Sequence, residues 1–451
     1  MVALSTSTLP KRLTVIAGTY DGVIAGWSNE TDADGLEMAF AMPAHEGSVR
    51  SLSVLPDTGM LVSGGFDETL KVYDLKKSRE TGETKTPQDL GTSTCSEFAP
   101  PEANGTHMLV GLTSGRIAFY KRKDWNIVHV LGGHEGGVSC MACHPSGKLA
   151  LSGGLRDGSM RLWDLTKGRL AFVHKLTAVR DTKKALNPAV SCIRWSSDGS
   201  RYVFCFGKRI TARDAASGKD LIDIELPSRP NQVCFLGKND ECIACACDDG
   251  SLPLLGVGVR EDDEDEGAIR AVMAIEGVDR VAVGDDRFKC IQRVRGGKSA
   301  FLVATANSGG VVSIINLEGA SRALADGFEE GGGNSEDDSD ADSDDEEDEE
   351  EDLAVFLASV RVGSGARITN LAVWSDTADR EEKLATTSNK QKKSTEETSN
   401  DKKRKRANDA EKANTVKLLD SDAVSRARAL IDQAKRKQKK KNKKQKKKRQ
   451  E

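Results

Sequence analysis

One pattern of residues occurs twice in this chain. The first copy contains His45-Glu46-Gly47, Ser63-Gly64-Gly65, Asp67 and Val72-Tyr73-Asp74. The second copy contains Gly133-His134-Glu135, Ser152-Gly153-Gly154, Asp157 and Leu162-Trp163-Asp164. The aspartate precedes the aromatic residue by six positions in both copies, and Asp21 precedes Trp27 by the same interval. A repeated unit of roughly 40–45 residues that ends in an aromatic–aspartate pair predicts four-stranded WD40 blades.

Weaker copies of the pattern extend along most of the chain. Alternating apolar stretches predict strands, and turn sequences such as Asp21-Gly22 and Asp249-Gly250 separate them. The third strands of successive blades are expected to end near Trp27, Tyr73, Tyr120, Trp163, Arg213, Leu255 and Ile315. We therefore predict an all-β, seven-bladed WD40 β-propeller over residues 10–374.

The two ends of this region indicate how the ring closes. From Leu13 the chain begins with the second and third strands of a blade, and the first strand is missing. Residues 367–374 have the composition of a first strand. The C-terminal strand is therefore expected to complete the first blade, which removes an exposed sheet edge.

Polar residues recur at fixed places in the two full repeats. A histidine on the entering loop, a serine on the second strand, an aspartate in the next turn and an aromatic residue on the third strand can form one hydrogen-bonded chain. The candidates are His45, Ser63, Asp67 and Tyr73 in one blade, and His134, Ser152, Asp157 and Trp163 in another. We predict a structural role for these networks, because buried polar groups require partners.

The charge of the chain is strongly divided. From Ser335 to Asp352, 14 of 18 residues are acidic, and we predict that 320–353 is a disordered acidic insertion in the last blade. Ser335, Ser339 and Ser343 each have an acidic residue three positions later, which suits acidophilic kinases of the casein-kinase-2 type. The insertion is either a solubilising loop or an attractor for basic partners.

Residues 375–451 are predicted to form a basic, partly helical and otherwise disordered tail. Their 26 basic and 13 acidic residues give a net charge of +13, against −17 for the rest of the chain. Lys402, Lys403, Arg404, Lys405 and Arg406 fit a nuclear-localisation signal. From Lys435 to Arg449, 12 of 15 residues are basic, including Lys435, Arg436, Lys437, Lys439, Lys440 and Lys441. Such density indicates retention on the phosphate backbone of RNA.

Motifs for catalysis or cofactor binding are weak. Cys140-x-x-Cys143-His144 and Cys242-x-x-Cys245-x-Cys247 have zinc-like spacings, but both lie in predicted strands, where alternate residues face opposite ways. Gly296-Gly297-Lys298-Ser299 lacks the first glycine of a P-loop. We therefore expect no enzyme, no cofactor and no metal. The chain also shows neither a secretory leader nor an apolar membrane span, and its ten cysteines suit a reducing compartment.

The repeats also resemble a known family. The stretches His134–Ser152 and Met160–Phe172 are similar to the p21-activated-kinase-interacting-protein-1-like family, as are Ala17–Gly22, His45–Asp74 and Arg367–Trp374. The resemblance covers roughly residues 10–375. It implies a nucleolar protein that acts in assembly of the large (60S) ribosomal subunit and binds assembly factors, ribosomal proteins and pre-rRNA. It also implies a link to a p21-activated kinase in animal relatives.

Three functions therefore remain open after the sequence, and the first of them is the predicted one. The first is a nucleolar scaffold for large-subunit assembly, held near pre-rRNA by the lysine-rich tail. The second is a signalling scaffold that inhibits a p21-activated kinase, which would not need that tail. The third is a chaperone of histones or ribosomal proteins that is centred on the acidic insertion.

Overall fold

The computed structural model describes residues 9–29, 35–100, 105–176, 189–257, 272–273, 286–326, 353–363 and 365–375. The first half of this region contains β1 (Leu13–Thr19), β2 (Val23–Ser28), β3 (Glu37–Pro43), β4 (Val49–Leu55), β5 (Met60–Gly65), β6 (Thr69–Asp74), β7 (Arg79–Lys85), β8 (Ser93–Phe98), β9 (His107–Leu112), β10 (Ile117–Lys121), β11 (Ile127–Leu131), β12 (Val138–Cys143), β13 (Leu149–Gly154), β14 (Ser159–Asp164) and β15 (Arg169–Lys175). A single 3₁₀ turn, Leu75–Lys77, follows β6.

The second half continues with β16 (Val190–Trp195), β17 (Arg201–Phe206), β18 (Arg209–Asp214), β19 (Asp220–Glu225), β20 (Pro230–Leu236), β21 (Cys242–Cys247), β22 (Leu254–Gly256), β23 (Val272–Met273), β24 (Phe288–Arg293), β25 (Leu302–Asn307), β26 (Val311–Asn316), α1 (Glu318–Asp326), β27 (Val355–Arg361) and β28 (Ile368–Ser375). Among the described residues, no helix has the length and apolar character needed to cross a membrane.

These strands form seven antiparallel sheets of four strands each, which are the blades of a β-propeller. Blade 1 has the order β28-β1-β2-β3 from the inner to the outer strand, and blades 2 to 7 follow in chain order. The predicted seven-bladed fold is confirmed.

The buried side chains lie between neighbouring blades and form separate clusters. One cluster joins Leu55 and Val72 of blade 2 to Met108, Val110 and Tyr120 of blade 3. A similar cluster joins Val203 and Ile210 of blade 5 to Val233 and Ile243 of blade 6. Because both faces of each sheet are covered, second strands such as β9 and β13 are almost continuously buried.

Small polar side chains add direct bonds between the inner strands of neighbouring blades. Ser139 donates to the carbonyl of Val190 at 2.6 Å, and Ser191 donates to that of Pro230 at 2.8 Å. Asn231 and Thr369 donate in the same way to Phe288 and Val49, both at 2.7 Å. Each donor stands second in its inner strand, so one repeated position ties a blade to the next.

The pairing of β28 with β1 closes the ring, as the two ends of the sequence predict. Val15 pairs with Val373 and Leu13 with Ser375, in an antiparallel register that runs to Thr19. Trp374 is 4% exposed, and its Nε1 donates to the carbonyl of Pro56 in blade 2 at 2.9 Å. The C-terminal strand therefore belongs to blade 1 and also contacts blade 2.

One feature near the end of blade 7 was not predicted. The helix α1 occupies Glu318–Asp326, so the expected start of a disordered insertion at residue 320 is wrong. Ala320 and Leu324 are buried against Leu254 and Ile315, which explains why this segment is ordered. The acidic run 335–352 and the tail 376–451 lie outside the described residues.

Removal of the closing strand should destabilise all blades. A chain that ends at residue 366 loses every partner of β1 on its inner side and the buried Trp374. We expect the truncated chain to lack the cooperative thermal transition that the full chain shows at its melting temperature. Circular dichroism measures this transition. The matched control is a chain that ends at residue 376, which retains β28 and should melt within a few degrees of the full chain. Equal melting of the two truncations would contradict closure by β28.

Candidate functional site

The polar residues of blade 4 form one continuous hydrogen-bonded chain. The Nδ1 of His134 lies 2.9 Å from Oδ2 of Asp157, and its Nε2 lies 2.7 Å from the hydroxyl of Ser152. The Nε1 of Trp163 donates to the same hydroxyl oxygen at 2.8 Å. Because a carboxylate only accepts, Nδ1 carries the proton, and Nε2 accepts from Ser152. Every polar group in this chain therefore has a partner while the imidazole is neutral.

The matching residues of blade 2 make only part of this chain. The Nε2 of His45 lies 2.7 Å from the Ser63 hydroxyl, and its Nδ1 lies 3.1 Å from Oδ1 of Asp67. Thr69 adds a further hydroxyl, which donates to Asp67 at 2.7 Å. The hydroxyl of Tyr73 is buried close to Ser63 but lacks a hydrogen-bond partner among the described residues. The predicted hydrogen-bonded chain is therefore incomplete at Tyr73, because a phenol hydroxyl does not lie where the indole N–H of Trp163 lies in blade 4.

Burial determines the protonation of these groups. The pKa values of His45 and His134 lie below their ordinary value because desolvation disfavours the imidazolium, although Asp67 and Asp157 oppose this shift. Burial alone would raise the pKa values of the two aspartates, but their hydrogen bonds lower them overall. Burial raises the pKa of Tyr73 to about 12. Each network therefore pairs a neutral imidazole with a carboxylate at neutral pH.

The last position of each Ser-Gly-Gly motif requires glycine for steric reasons. A Cβ atom at Gly154 would overlap Oδ1 of Asp157 and would lie 2.8 Å from Nδ1 of His134. A Cβ atom at Gly65 would overlap both Asp67 and His45. The motif therefore leaves room for the histidine–aspartate pair beside the second strand.

The cysteines of the two zinc-like spacings are core residues. Cys140 packs in the cluster of Val190 and Phe204, whereas Cys143 packs with Trp163 and Leu165. Burial raises the pKa values of both thiols, which opposes formation of the thiolates that zinc prefers. Across the described part of the chain, no group of three or more His, Cys, Asp or Glu side chains is placed to hold a metal ion.

Three exposed apolar side chains mark a surface that the motif analysis missed. Tyr20, Phe66 and Leu155 are 58%, 59% and 42% exposed. Each directly follows the second strand of its blade, and the backbone N–H groups of Phe66 and Leu155 donate to the carbonyls of Ser48 and Gly137 just before the inner strand. We call Tyr20, Phe66 and Leu155 the turn triad. Alignment of the repeats at Ser63-Gly64-Gly65 and Ser152-Gly153-Gly154 would have revealed the last two members.

The turn triad lies on the propeller face that carries the network histidines. The backbone N–H groups of Ala44 and His45 donate to the carbonyl of Gly22, in the turn that begins at Tyr20. The Arg367 guanidinium lies over the Tyr20 ring, 5.6 Å from its centroid. This face combines exposed apolar rings with charged groups, a composition that is typical of protein-binding surfaces.

The other predicted functional residues cannot be placed. Ser335, Ser339 and Ser343, the patch Lys402–Arg406 and the run from Lys435 lie outside the described residues. Their proposed roles remain predictions.

Comparison with known proteins agrees with the repeat architecture. The family model described as "WD domain, G-beta repeat" matches residues 37–74 and 125–164, which include the two full repeats. A p21-activated protein kinase-interacting protein 1-like protein from Gallus gallus is 32% identical over 239 residues, which cover 52% of this chain and 58% of the relative. Over about half of its length, the chain is therefore similar to the p21-activated protein kinase-interacting protein 1-like family.

Two further relatives come from fungi. Shk1 kinase-binding protein 15 of Schizosaccharomyces pombe is 30% identical over 177 residues, covering 39% of this chain and 50% of the relative. Protein MAK11 of Saccharomyces cerevisiae is 29% identical over 227 residues, covering 46% of this chain and 52% of the relative. The chain thus spans about half the length of the curated relatives that it matches.

The two aromatic residues of the networks should respond differently to substitution. Trp163→Phe removes an indole N–H that donates to Ser152 and leaves a cavity, so we expect it to lower the free energy of unfolding by about 2–4 kcal/mol. Tyr73→Phe removes a buried hydroxyl without a hydrogen-bond partner, so its effect should lie within about 1 kcal/mol of zero or be stabilising. Urea denaturation of the two variants measures the difference. A larger loss for Tyr73→Phe would show that the blade 2 network does include the phenol.

The network histidines should make stability depend on pH. Because their folded-state pKa values are lowered, the unfolded chain binds more protons than the folded chain below about pH 6.5. The free energy of unfolding should therefore be maximal above pH 6.5 and fall as the pH is lowered toward 5. His134→Gln should weaken this dependence, whereas His129→Gln, at an exposed position, serves as the control. Denaturation at pH 5.5 and 7.5 tests this, and a stability that rises on acidification would contradict it.

Proposed function

We propose that this protein is a non-enzymatic scaffold for nucleolar assembly of the large (60S) ribosomal subunit. The observation that carries the proposal is the similarity of its propeller to the p21-activated protein kinase-interacting protein 1-like family, over 239 residues of the Gallus gallus relative. WD40 propellers act chiefly as docking platforms. The buried cysteines and the internally satisfied His134 network are consistent with binding rather than chemistry.

The propeller would contribute the protein contacts. Assembly factors or ribosomal proteins would dock on the face that carries the turn triad, where Tyr20 and Phe66 offer exposed rings. Aromatic side chains are enriched at protein interfaces because they bury a large area at a small cost in conformational entropy. Docking there would leave the inner strands and the ring closure unchanged.

The C-terminal tail would contribute the RNA contact and the localisation. The residues Lys402–Arg406 would direct the protein to the nucleus, and the 12 basic residues of Lys435–Arg449 would retain it in the nucleolus by binding pre-rRNA phosphates. Several weak contacts on one chain raise the effective concentration of each, so moderate affinities would suffice. Phosphorylation of Ser335, Ser339 or Ser343 would add negative charge to the acidic run and modulate its attraction for basic proteins.

A second candidate function follows from the names of the relatives. The names of the Gallus gallus and Schizosaccharomyces pombe proteins describe binding to p21-activated and Shk1 kinases. Under this alternative, the protein would bind and inhibit a p21-activated kinase through the propeller. That function would persist without Lys435–Arg449 and would not require RNA.

One purification separates these functions. The tagged full chain would be isolated from cells, and the bound RNA and proteins would be sequenced. We expect large-subunit precursor rRNA together with assembly factors. Substitution of the basic residues of Lys435–Arg449 by Gln should lower the RNA recovery by about tenfold or more at physiological salt. An all-arginine version of the same segment keeps the charge and should retain the RNA.

A propeller variant tests the protein contacts in the same purification. Phe66→Glu should reduce the recovery of assembly factors while the melting temperature stays unchanged, because the side chain is 59% exposed. Recovery of a kinase without pre-rRNA would contradict the assembly function and favour the kinase scaffold. Recovery of histones or free ribosomal proteins that depends on residues 335–352 would favour the chaperone.

A further inference from the structure

The outer strand of blade 3, β11, has an unusual surface. Ile127, Val128 and Val130 are 40%, 44% and 41% exposed, and His129 between them is also exposed. Only the last residue of the strand, Leu131, is buried. The strand pairs with β10 on its inner side, so its outer backbone groups face away from the sheet. Blade 3 therefore presents a row of aliphatic side chains beside a strand edge that pairs with no other strand among the described residues.

The other outer strands of this chain provide an internal comparison. Six outer strands are described over five or more residues, and β11 is the only one of these without Asp, Glu, Lys, Arg or Pro. β7 contains four charged residues and β19 contains three, while β3 has Glu37 and Pro43 at its two ends. β15 and β27 contain Arg169, Lys175 and Arg361. Charges and prolines on edge strands prevent unwanted pairing with other chains, and β11 lacks both.

A bulge does not replace this protection. The pairing of β10 with β11 shifts register next to Tyr120, so one extra residue lies in the outer strand. The same shift occurs between the third and outer strands of blades 1, 2, 4, 5 and 7. Since those blades have the bulge and also charged residues, the absence of charge is what distinguishes β11.

Ring contacts hold β11 in place on the side that faces blade 4. The His129 ring stacks on Phe119 with centroids 6.4 Å apart, and Phe119 stacks on His107 at 4.8 Å. Gly168, in the turn before β15, lies close to the His129 ring. The strand is therefore an ordered edge, and a partner would not have to order it on binding.

The surroundings of β11 are basic. Lys121 ends β10, and Arg122 and Lys123 follow it in the turn before β11. Lys167, Arg169 and Lys175 lie in or next to the outer strand of the adjacent blade 4. The same segments hold two acidic residues, Asp124 and Asp164, and Asp164 already pairs with Lys167. The potential around the edge therefore favours a partner with negative charge.

We propose that β11 is a docking edge for an extended segment of a partner protein, one with aliphatic side chains flanked by acidic residues. The segment adds a fifth strand to blade 3, its backbone bonds the free edge of β11, and its aliphatic side chains cover Ile127, Val128 and Val130. The acidic flanks lie near Lys123 and Arg169. This surface does not include the turn triad, so the inference goes beyond the proposed function.

A displayed library of random 12-residue peptides, panned on the purified full chain, is the first test. Wild type should enrich peptides with alternating aliphatic residues and acidic flanks. Val130→Lys places a charge on the edge and should lower the affinity for synthetic copies of these peptides at least tenfold. Met38→Lys makes the same kind of change at a 60% exposed position on the outer strand of blade 1, and it should bind as wild type does.

Amide hydrogen exchange locates the bound peptide. Binding should slow exchange in residues 127–131 and leave the turn at Phe66 unchanged. Thermal melts of both lysine variants confirm that each remains folded. Retention of the same peptides by Val130→Lys, protection at another surface, or no enrichment on wild type would each overturn the proposal. A wild-type dimer in sedimentation velocity that Val130→Lys dissociates would also overturn it, since β11 would then pair with a second copy.

Discussion

The pairing of β28 with β1 is the interaction on which the rest of this propeller depends. Each blade buries its two faces only against its neighbours, so the ring has no stable end until the last strand completes the first blade. The register from Leu13–Ser375 to Thr19–Ile368 joins residues from the two ends of the described chain. Trp374 and Thr369 then extend the closure to blade 2 through the carbonyls of Pro56 and Val49. The loss of this strand would therefore weaken the closure at two blade junctions.

The histidine networks set the local geometry of two blades in different ways. In blade 4, Trp163, Ser152, His134 and Asp157 satisfy one another, so each bond depends on the others. In blade 2, Thr69 takes part through Asp67, and the Tyr73 hydroxyl stays outside the chain. The neutral imidazole explains why residues that resemble a catalytic set are suited to a structural role. Its proton is fixed on the carboxylate side, and Nε2 is occupied by serine.

A docking protein depends on its surface rather than on reacting groups, and the candidate binding regions are exposed. Two described surfaces differ in physical character: the turn triad is aromatic and apolar, and the edge of β11 is aliphatic with basic surroundings. The sequence of the tail is densely cationic. A scaffold with such regions could hold several partners at once, each by a moderate affinity. The net charge is +13 over residues 375–451 and −17 over the rest of the chain, so the two parts attract partners of opposite charge.

The sequence by itself determined the number of blades, the closing strand and most members of the polar networks. These features are local and periodic: a turn, a six-residue spacing or an apolar alternation is visible in a short stretch of chain. It did not reveal α1, whose order comes from Ala320 and Leu324 packing on Leu254 and Ile315 from other strands. The sequence also predicted Tyr73 as a member of the blade 2 network, but its hydroxyl has no hydrogen-bond partner among the described residues. The tertiary structure alone decided which apolar residues remain exposed, because the exposure of Phe66 or Val130 depends on the neighbouring blades and not on the strand that contains it.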